Sequence, residues 1–314
     1  MPSSRAQFPR EQTADGSFKR QDDAFRDWVT ADGSSGYPAT AGRYHLYVSL
    51  ACPWAHRTVI VRKLKGLEDT IGMTVVDPIR DERGWRFRPS HPDPLNGWAF
   101  LSEAYSATDP GYAARVTVPV LWDARRARIV SNSDDDIMRM FETEFDAVAA
   151  DPQLDLYPLE LRPQIDELND FLYHTFNNGV YRAGFATSQA AYEEAAYGVF
   201  TTIDAMEERL SYQRYLFGAR PLETDWRFFV TLIRFDAVYY GHFKCNLNRI
   251  VDYPNLWGYL RDLYQIDGVA ETVNFDHIKR HYYITQDEIN PTGIVPIGPL
   301  LDLTAPHDRT SLSP

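Results

Sequence analysis

Apolar residues first gather into regular patterns after residue 43. Residues 1–40 are polar and irregular, with Gly33, Gly36 and Pro38, and predict an N-terminal arm. Phe18, Phe25 and Trp28 within it predict packing against the body of the protein. The run Tyr44-His45-Leu46-Tyr47-Val48 is rich in β-forming side chains and predicts a strand. Val59, Ile60 and Leu64 then recur at helical spacing over Trp54–Lys65, with Pro53 at a first helical position and Gly66 at a stop. Ile71–Ile79, with Val75 and Val76, predicts a second strand, which completes a β-α-β unit. Residues 80–115 are rich in Pro, Gly and Trp and predict a long irregular insertion. Residues 116–123 and 127–131 predict a hairpin. Pro119 lies among its apolar residues, where a cis bond or a strand start accommodates it. Ser133 or Asp134 caps a helix running to about Phe145. Beyond Asp151-Pro152 the pattern is helical, over 159–178, 189–211, 222–241, 254–266 and 269–279. From Asn290 the tail holds Pro291, Pro296 and Pro299 and reads as extended.

These patterns predict an arm over 1–40, an α/β domain over 41–150 and an all-α domain over 151–314 that ends in the extended tail. Two domains suit a chain of 314 residues. The formal net charge of -12 argues against nucleic acid and anionic membrane surfaces, because both call for clustered Lys and Arg. The start of the chain is polar, and no apolar stretch approaches the length of a membrane span. The only cysteines, Cys52 and Cys245, are too few for a disulfide framework. A reducing cytoplasm is the expected compartment.

Cys52 lies at the turn from the first strand into the first helix, within Ser49-Leu50-Ala51-Cys52-Pro53-Trp54-Ala55-His56. Thiolate is the reactive form of cysteine, and a helix N-terminus favours it through unpaired N–H groups and partial positive charge. His56 and Arg57 can add positive potential or serve as packing residues. Ala55 stands where a Cys-x-x-Cys motif has its second thiol, so the site is monothiol. A mixed disulfide formed on it needs an external thiol for release. No phosphate-binding loop, nucleophile elbow, zinc helix or dinucleotide fingerprint is found. The eight histidines show no metal spacing, and Asp134-Asp135-Asp136 reads as a set of helix-dipole partners, so no metal is expected. Cys245, in an aromatic helical stretch, reads as structural.

The Cys52 turn resembles that of the glutathionyl-hydroquinone reductases, the Xi-class glutathione transferases. Further blocks share the resemblance, among them Gly84-Trp85-Arg86-Phe87, Val118-Pro119-Val120-Leu121-Trp122-Asp123 and Asn178-Gly179-Val180-Tyr181-Arg182-Ala183-Gly184-Phe185. Others are Gly241-His242-Phe243-Lys244-Cys245-Asn246, His277-Ile278-Lys279-Arg280-His281-Tyr282-Tyr283 and Ile289-Asn290-Pro291. The match runs from about residue 40 to 300. It implies a thioredoxin-like α/β domain followed by an all-α domain, as a homodimer. The implied reaction is attack of the Cys52 thiolate on the sulfur of an S-conjugated hydroquinone, with a second thiol closing the cycle. The small-molecule partner is then an aromatic quinol thioether. Tyr181 and one of Tyr282 or Tyr283 match pocket tyrosines that bond the quinol oxygen or protonate the leaving carbon. Trp85 matches an aromatic beside the thiol co-substrate, and Val118 and Pro119 are expected to bind that co-substrate with it.

One block departs from the family. Where members usually read Ser-Asn-Glu-Ser, this chain has Ser131-Asn132-Ser133-Asp134. An acceptor for an ammonium group is lost at Ser133, and an anionic Asp134 stands where a carboxylate is received in the family. Glutathione and the uncharged thiol mycothiol are both carried forward as co-substrates, and the departure favours mycothiol. Two other classes remain open: a thiol-conjugating transferase, and a non-enzymatic thioredoxin-like binding module.

Overall fold

The computed structural model describes residues 11–312. The first ten residues of the expected arm and the last two of the tail lie outside the described residues. The chain divides into two compact units, each discontinuous in sequence. One holds Asp22–Asp155 and Glu271–His281; the other holds residues 11–21, 156–270 and 282–312. Among the described residues no helix is long and apolar enough to cross a membrane.

The first unit is built on a four-stranded sheet in the order β2-β1-β3-β4, with β1 Tyr44–Val48, β2 Gly72–Val75, β3 Val120–Asp123 and β4 Arg128–Ser131. β1 pairs parallel to β2 and antiparallel to β3, which continues antiparallel to β4. The parallel pair needs a crossover, and α1 (Pro53–Leu64) supplies it. All five β1 residues are buried, as expected for a strand with neighbours on both edges. Helix α1 ends where Gly66, at φ +60°, places Leu67 N–H on the Arg62 carbonyl at 2.9 Å. A Cβ at Gly66 would also lie 2.6 Å from that of Ala150, so the turn requires glycine twice over. The Val118–Pro119 peptide is cis and β3 starts immediately after it. Both proposed readings of Pro119 therefore hold together.

The insertion at 80–115 is not wholly irregular. It contains α2 (Ser102–Thr108), whose Ala104 and Tyr105 are buried. Seven residues are too few to show a helical period, and the Glu103 carboxylate starts the turn by accepting from the N–H groups of Ala99 and Phe100 at 2.8 and 3.0 Å. Helix α3 (Asp134–Thr143) packs on α1. Its cap is Ser133, whose hydroxyl accepts from Asp136 N–H at 3.3 Å.

The second unit is helical, with α4 Arg162–Leu172, α5 Gly179–Gly184, α6 Gln189–Arg209, α7 Glu223–Arg234 and α8 Pro254–Tyr264. Two of the expected long helices pass into π-helical turns, at Tyr173–Asn177 and Phe235–Tyr239. A third such turn covers His281–Thr285. The segment expected to be helical over 269–279 forms α9 only at Phe275–Arg280, behind an Asn274 cap. Asp225 holds the start of α7: its carboxylate accepts from Leu216 N–H, Leu222 N–H and the Tyr259 hydroxyl at 2.9, 2.8 and 2.7 Å. Near the C-terminus the buried Arg309 donates to the carbonyls of Leu210 and Arg214 at 2.7 and 2.8 Å, at the end of α6. Between them, residues 291–302 have no helix or strand, as the prolines predict.

Candidate active site

Cys52 is the N-cap residue of α1, with extended backbone angles and Pro53 following. It is half-buried and forms no disulfide. Its Sγ lies 3.7 Å from the Val118 carbonyl, the residue before the cis bond. The strand-to-helix turn and the cis-proline loop, far apart in sequence, thus meet at the sulfur. A helix N-terminus with no side-chain cap leaves its positive end to act on the thiol.

The neighbouring basic residues are turned to other work. His56 is fully buried, and its Nε2 lies 2.8 Å from the Thr272 hydroxyl. Arg57 is also buried; it stacks at 4.7 Å over the Trp54 ring and donates to Asp134 at 2.8 Å and Asp135 at 3.2 Å. Arg57 therefore ties the helix that bears the thiol to the first turn of α3. Much of its charge is compensated by these carboxylates.

Trp85, Val118, Ser133 and Asp134 all fall in this unit. Trp85 is buried, stacked on His281 at 5.0 Å, with the Arg80 guanidinium 5.3 Å from its ring. His281 Nδ1 meets the Pro78 carbonyl at 2.7 Å, so that nitrogen carries the proton. Ser133 is buried with its hydroxyl engaged as the cap, and Asp134 is the carboxylate paired to Arg57.

The tyrosines belong to the helical unit. Tyr181 and Tyr282 are buried and share a very short hydroxyl–hydroxyl hydrogen bond. Tyr239 extends the chain, its hydroxyl 3.0 Å from that of Tyr282. Desolvation raises the phenols of Tyr239 and Tyr282 well above the ordinary value, so both keep their protons at neutral pH. Tyr283 is not part of this chain; its hydroxyl donates to the Ala237 carbonyl at 3.3 Å and its ring packs on His242. Phe243 packs on Tyr181, Tyr239 and Tyr282 alike, and its ring fits only because residue 184 is glycine: a Cβ there would come within 2.2 Å. Arg20, from the arm, lies 5.2 Å over the Tyr181 ring. Sequence reasoning missed Tyr239, although it stands in an aromatic run with Tyr240 and Phe243 and so carried a signal. Cys245 is buried and its thiol is pushed up to about 12 by desolvation, which makes it inert.

Comparisons with known proteins identify the family. Residues 51–144 match the N-terminal domain model of the glutathione S-transferases, and residues 189–262 match the C-terminal domain model. The glutathionyl-hydroquinone reductase YqjG of Escherichia coli is 54% identical over 304 residues, spanning 94% of this chain and 92% of that protein. The structure of YqjG with glutathione bound superposes with a TM-score of 0.88 over 91% of this chain and 96% of that one. An Xi-class glutathione transferase from Natrialba magadii is 50% identical, with a TM-score of 0.90 over 91% of this chain and 89% of its own. A chain with a helix-capping monothiol beside a cis-proline loop, a separate helical unit and this likeness over nearly its whole length belongs to the Xi-class glutathione transferases, the family of the glutathionyl-hydroquinone reductases.

Proposed function

We infer that the protein is a thiol-dependent reductase that removes the thiol group from S-conjugated hydroquinones. The observation that carries the reading is Cys52 at the N-cap of α1, with no second cysteine at position 55. In the first half-reaction the Cys52 thiolate attacks the sulfur of the aryl thioether. The carbon–sulfur bond breaks, its electron pair stays on the ring carbon, and that carbon takes a proton to give the free hydroquinone. The former thioether sulfur remains on Cys52 as a mixed disulfide. In the second, a thiolate from solution attacks the small-molecule sulfur, releases Cys52 as thiolate and leaves as a symmetrical disulfide. The aryl ring gains two electrons and a proton, and two small thiols are oxidised.

Tyr181 and Tyr282 are assigned to the quinol: their hydroxyls are suited to bond a quinol oxygen or to supply the proton for the carbon, and burial keeps the Tyr282 phenol protonated. Trp85, Val118 and Pro119 are assigned to the thiol co-substrate. Trapping the enzyme with one equivalent of substrate and weighing it tests the chemistry. A mass increment equal to one thiol on Cys52, absent in Cys52→Ser, is expected. A covalent aryl adduct, or turnover retained in Cys52→Ser, would overturn the reading in favour of conjugation or of a binding module.

The thiol is a second question. Ser133 and Asp134 favour an uncharged thiol such as mycothiol over glutathione. The pairing of Asp134 with Arg57 softens the repulsion toward a glutathione carboxylate, while the Ser133 hydroxyl is held by the cap. Turnover of matched glutathionyl and mycothiyl hydroquinones decides it: saturable turnover of only the glutathionyl compound would sink the mycothiol assignment. A homodimer in a reducing cytoplasm belongs to the same proposal, and light scattering on the purified chain checks the stoichiometry.

A further inference from the structure

Thr117, the residue before Val118, is held at every polar group it has. The fully buried Tyr105 hydroxyl on α2 donates to the Thr117 carbonyl at 2.9 Å, accepts from the Thr117 N–H at 3.1 Å and lies 3.1 Å from the Thr117 hydroxyl. On the other side the buried Asn132, between β4 and α3, donates from Nδ2 to that same hydroxyl at 2.9 Å. The arm fixes which way the amide points. Phe25 N–H reaches Asn132 Oδ1 at 2.8 Å, and the Phe25 carbonyl accepts from Asn132 N–H at 3.0 Å. An N–H needs an acceptor, so Oδ1 faces Phe25 and Nδ2 faces Thr117. The Thr117 hydroxyl keeps its own proton for the Tyr105 oxygen. The Phe25 ring closes the group with an edge contact on Tyr105, centroids 5.7 Å apart.

The backbone next to Thr117 is what meets the sulfur. The Val118 carbonyl lies 3.7 Å from Cys52 Sγ, where it accepts the thiol proton. An acceptor so placed favours the neutral thiol, because its oxygen carries partial negative charge that a thiolate avoids. The N-terminal end of α1 favours the thiolate. Cys52 is thus under two opposed influences, and the first depends on how firmly the loop is held. The balance matters to exchange chemistry: a thiol that ionises too easily is a weaker nucleophile, and the best attacking thiol ionises near ambient pH. Other titratable groups around α1 are committed: Arg57 to Asp134 and Asp135 from α3, His56 to Thr272, and His45 on β1 to Thr74.

We propose that Tyr105 and Asn132 are positioning residues for Cys52: through Thr117 they fix the Val118 carbonyl against the sulfur and so restrain the thiol from giving up its proton. Through α2 the insertion over 80–115 takes part in the chemistry, and through Phe25 so does the arm. The consequence for turnover rests on the reductase reading; the effect on the thiol does not.

The test follows disulfide exchange between the full-length protein and dithiodipyridine across pH, and reads the midpoint at which Cys52 becomes reactive. Cys245 is buried, and Cys52→Ser gives the background. Tyr105→Phe removes the hydroxyl with little change of shape. It should lower the midpoint by about half a pH unit or more, because the neutral thiol loses a fixed acceptor. The rate on the alkaline plateau should not rise, since a more acidic thiol attacks less readily. Thr117→Val removes only the hydroxyl contacts and should lower the midpoint by less, while Thr117→Ser restores them and should return it to the wild-type value. If Tyr105→Phe does not fold, the Thr117 pair decides alone. An unmoved midpoint in Tyr105→Phe, equal shifts in Thr117→Val and Thr117→Ser, or a raised plateau with no shift would overturn the proposal. A lowered midpoint in a protein that forms no mixed disulfide with a hydroquinone conjugate would sink the reductase reading and leave the positioning role standing.

Discussion

Two adjacent tyrosines show how finely position decides role. Tyr282 and Tyr283 follow one another in a π-helical turn, yet only Tyr282 joins the phenol chain with Tyr181 and Tyr239. Tyr283 spends its hydroxyl on a backbone carbonyl. The sequence marked both and had no means of choosing, because the choice depends on the local helical twist. Tyr282→Phe is therefore expected to lower kcat by at least about tenfold, while Tyr283→Phe stays within about twofold; steady-state turnover of a fixed hydroquinone conjugate reads both. Equal effects would remove the special role of Tyr282. At Cys52 the sequence was more explicit, since a Cys-Pro pair after a β-forming run fixes the sulfur at a helix start. The contact with Val118, 66 residues further along the chain, depends on the fold.

At the scale of elements, helix starts are held by one or two side chains. The α7 start depends on Asp225, a fully buried carboxylate with three donors. Desolvation still pushes its pKa up to about 6. Asp225→Ala leaves two backbone N–H groups and the Tyr259 hydroxyl unpaired in the core. A loss on the order of 3–5 kcal/mol in urea unfolding is expected, and below about 1 kcal/mol the cap would have little weight. The α3 start is held twice: internally by Ser133, and by Arg57 reaching from α1. Arg57→Ala should cost about 2 kcal/mol, less than a fully buried pair because Asp135 is half-exposed. Thermal unfolding with Cys52 reactivity toward iodoacetamide as a second readout checks whether the two helices loosen together. Capping residues were visible in the sequence at Ser133 and less so at Asp225, whose partners at Leu216 and Tyr259 come from other segments.

For the whole molecule, burial of neutral histidines sets an acid limit. His45, bonded to Thr74, and His242, bonded to Gln286, are both pushed down to about 4 by desolvation. The unfolded chain binds protons at these positions near 6.5 and the folded chain does not until about 4. Stability is thus fully present above pH 6.5 and falls as pH drops toward 4. Between pH 7 and 5 each histidine accounts for up to about 2 kcal/mol of loss. His45→Gln, which can still bond Thr74, should flatten the fall of Tm over that interval. An unchanged slope would place the acid sensitivity elsewhere. Asp225 works in the opposite sense: its raised pKa gives stability that is present below about 4 and lost as pH rises through about 6, so it partly masks the histidine effect.

By itself the sequence determined the β-α-β start with its capping thiol, the monothiol chemistry that follows from Ala55, the hairpin after Pro119 and the helical second half. Each depends on neighbours within a few residues: a period, a cap or a proline. Only the tertiary structure decided that residues 271–281 return to the unit of Cys52, that His56 and Arg57 are committed to Thr272 and to the α3 carboxylates, and that Tyr239 completes a chain of phenols. Those pairings join side chains from 43 to 216 residues apart. Hydrophobic periodicity says which face of an element is buried; it does not say which distant element covers that face, and the chemistry of the buried groups depends on that cover.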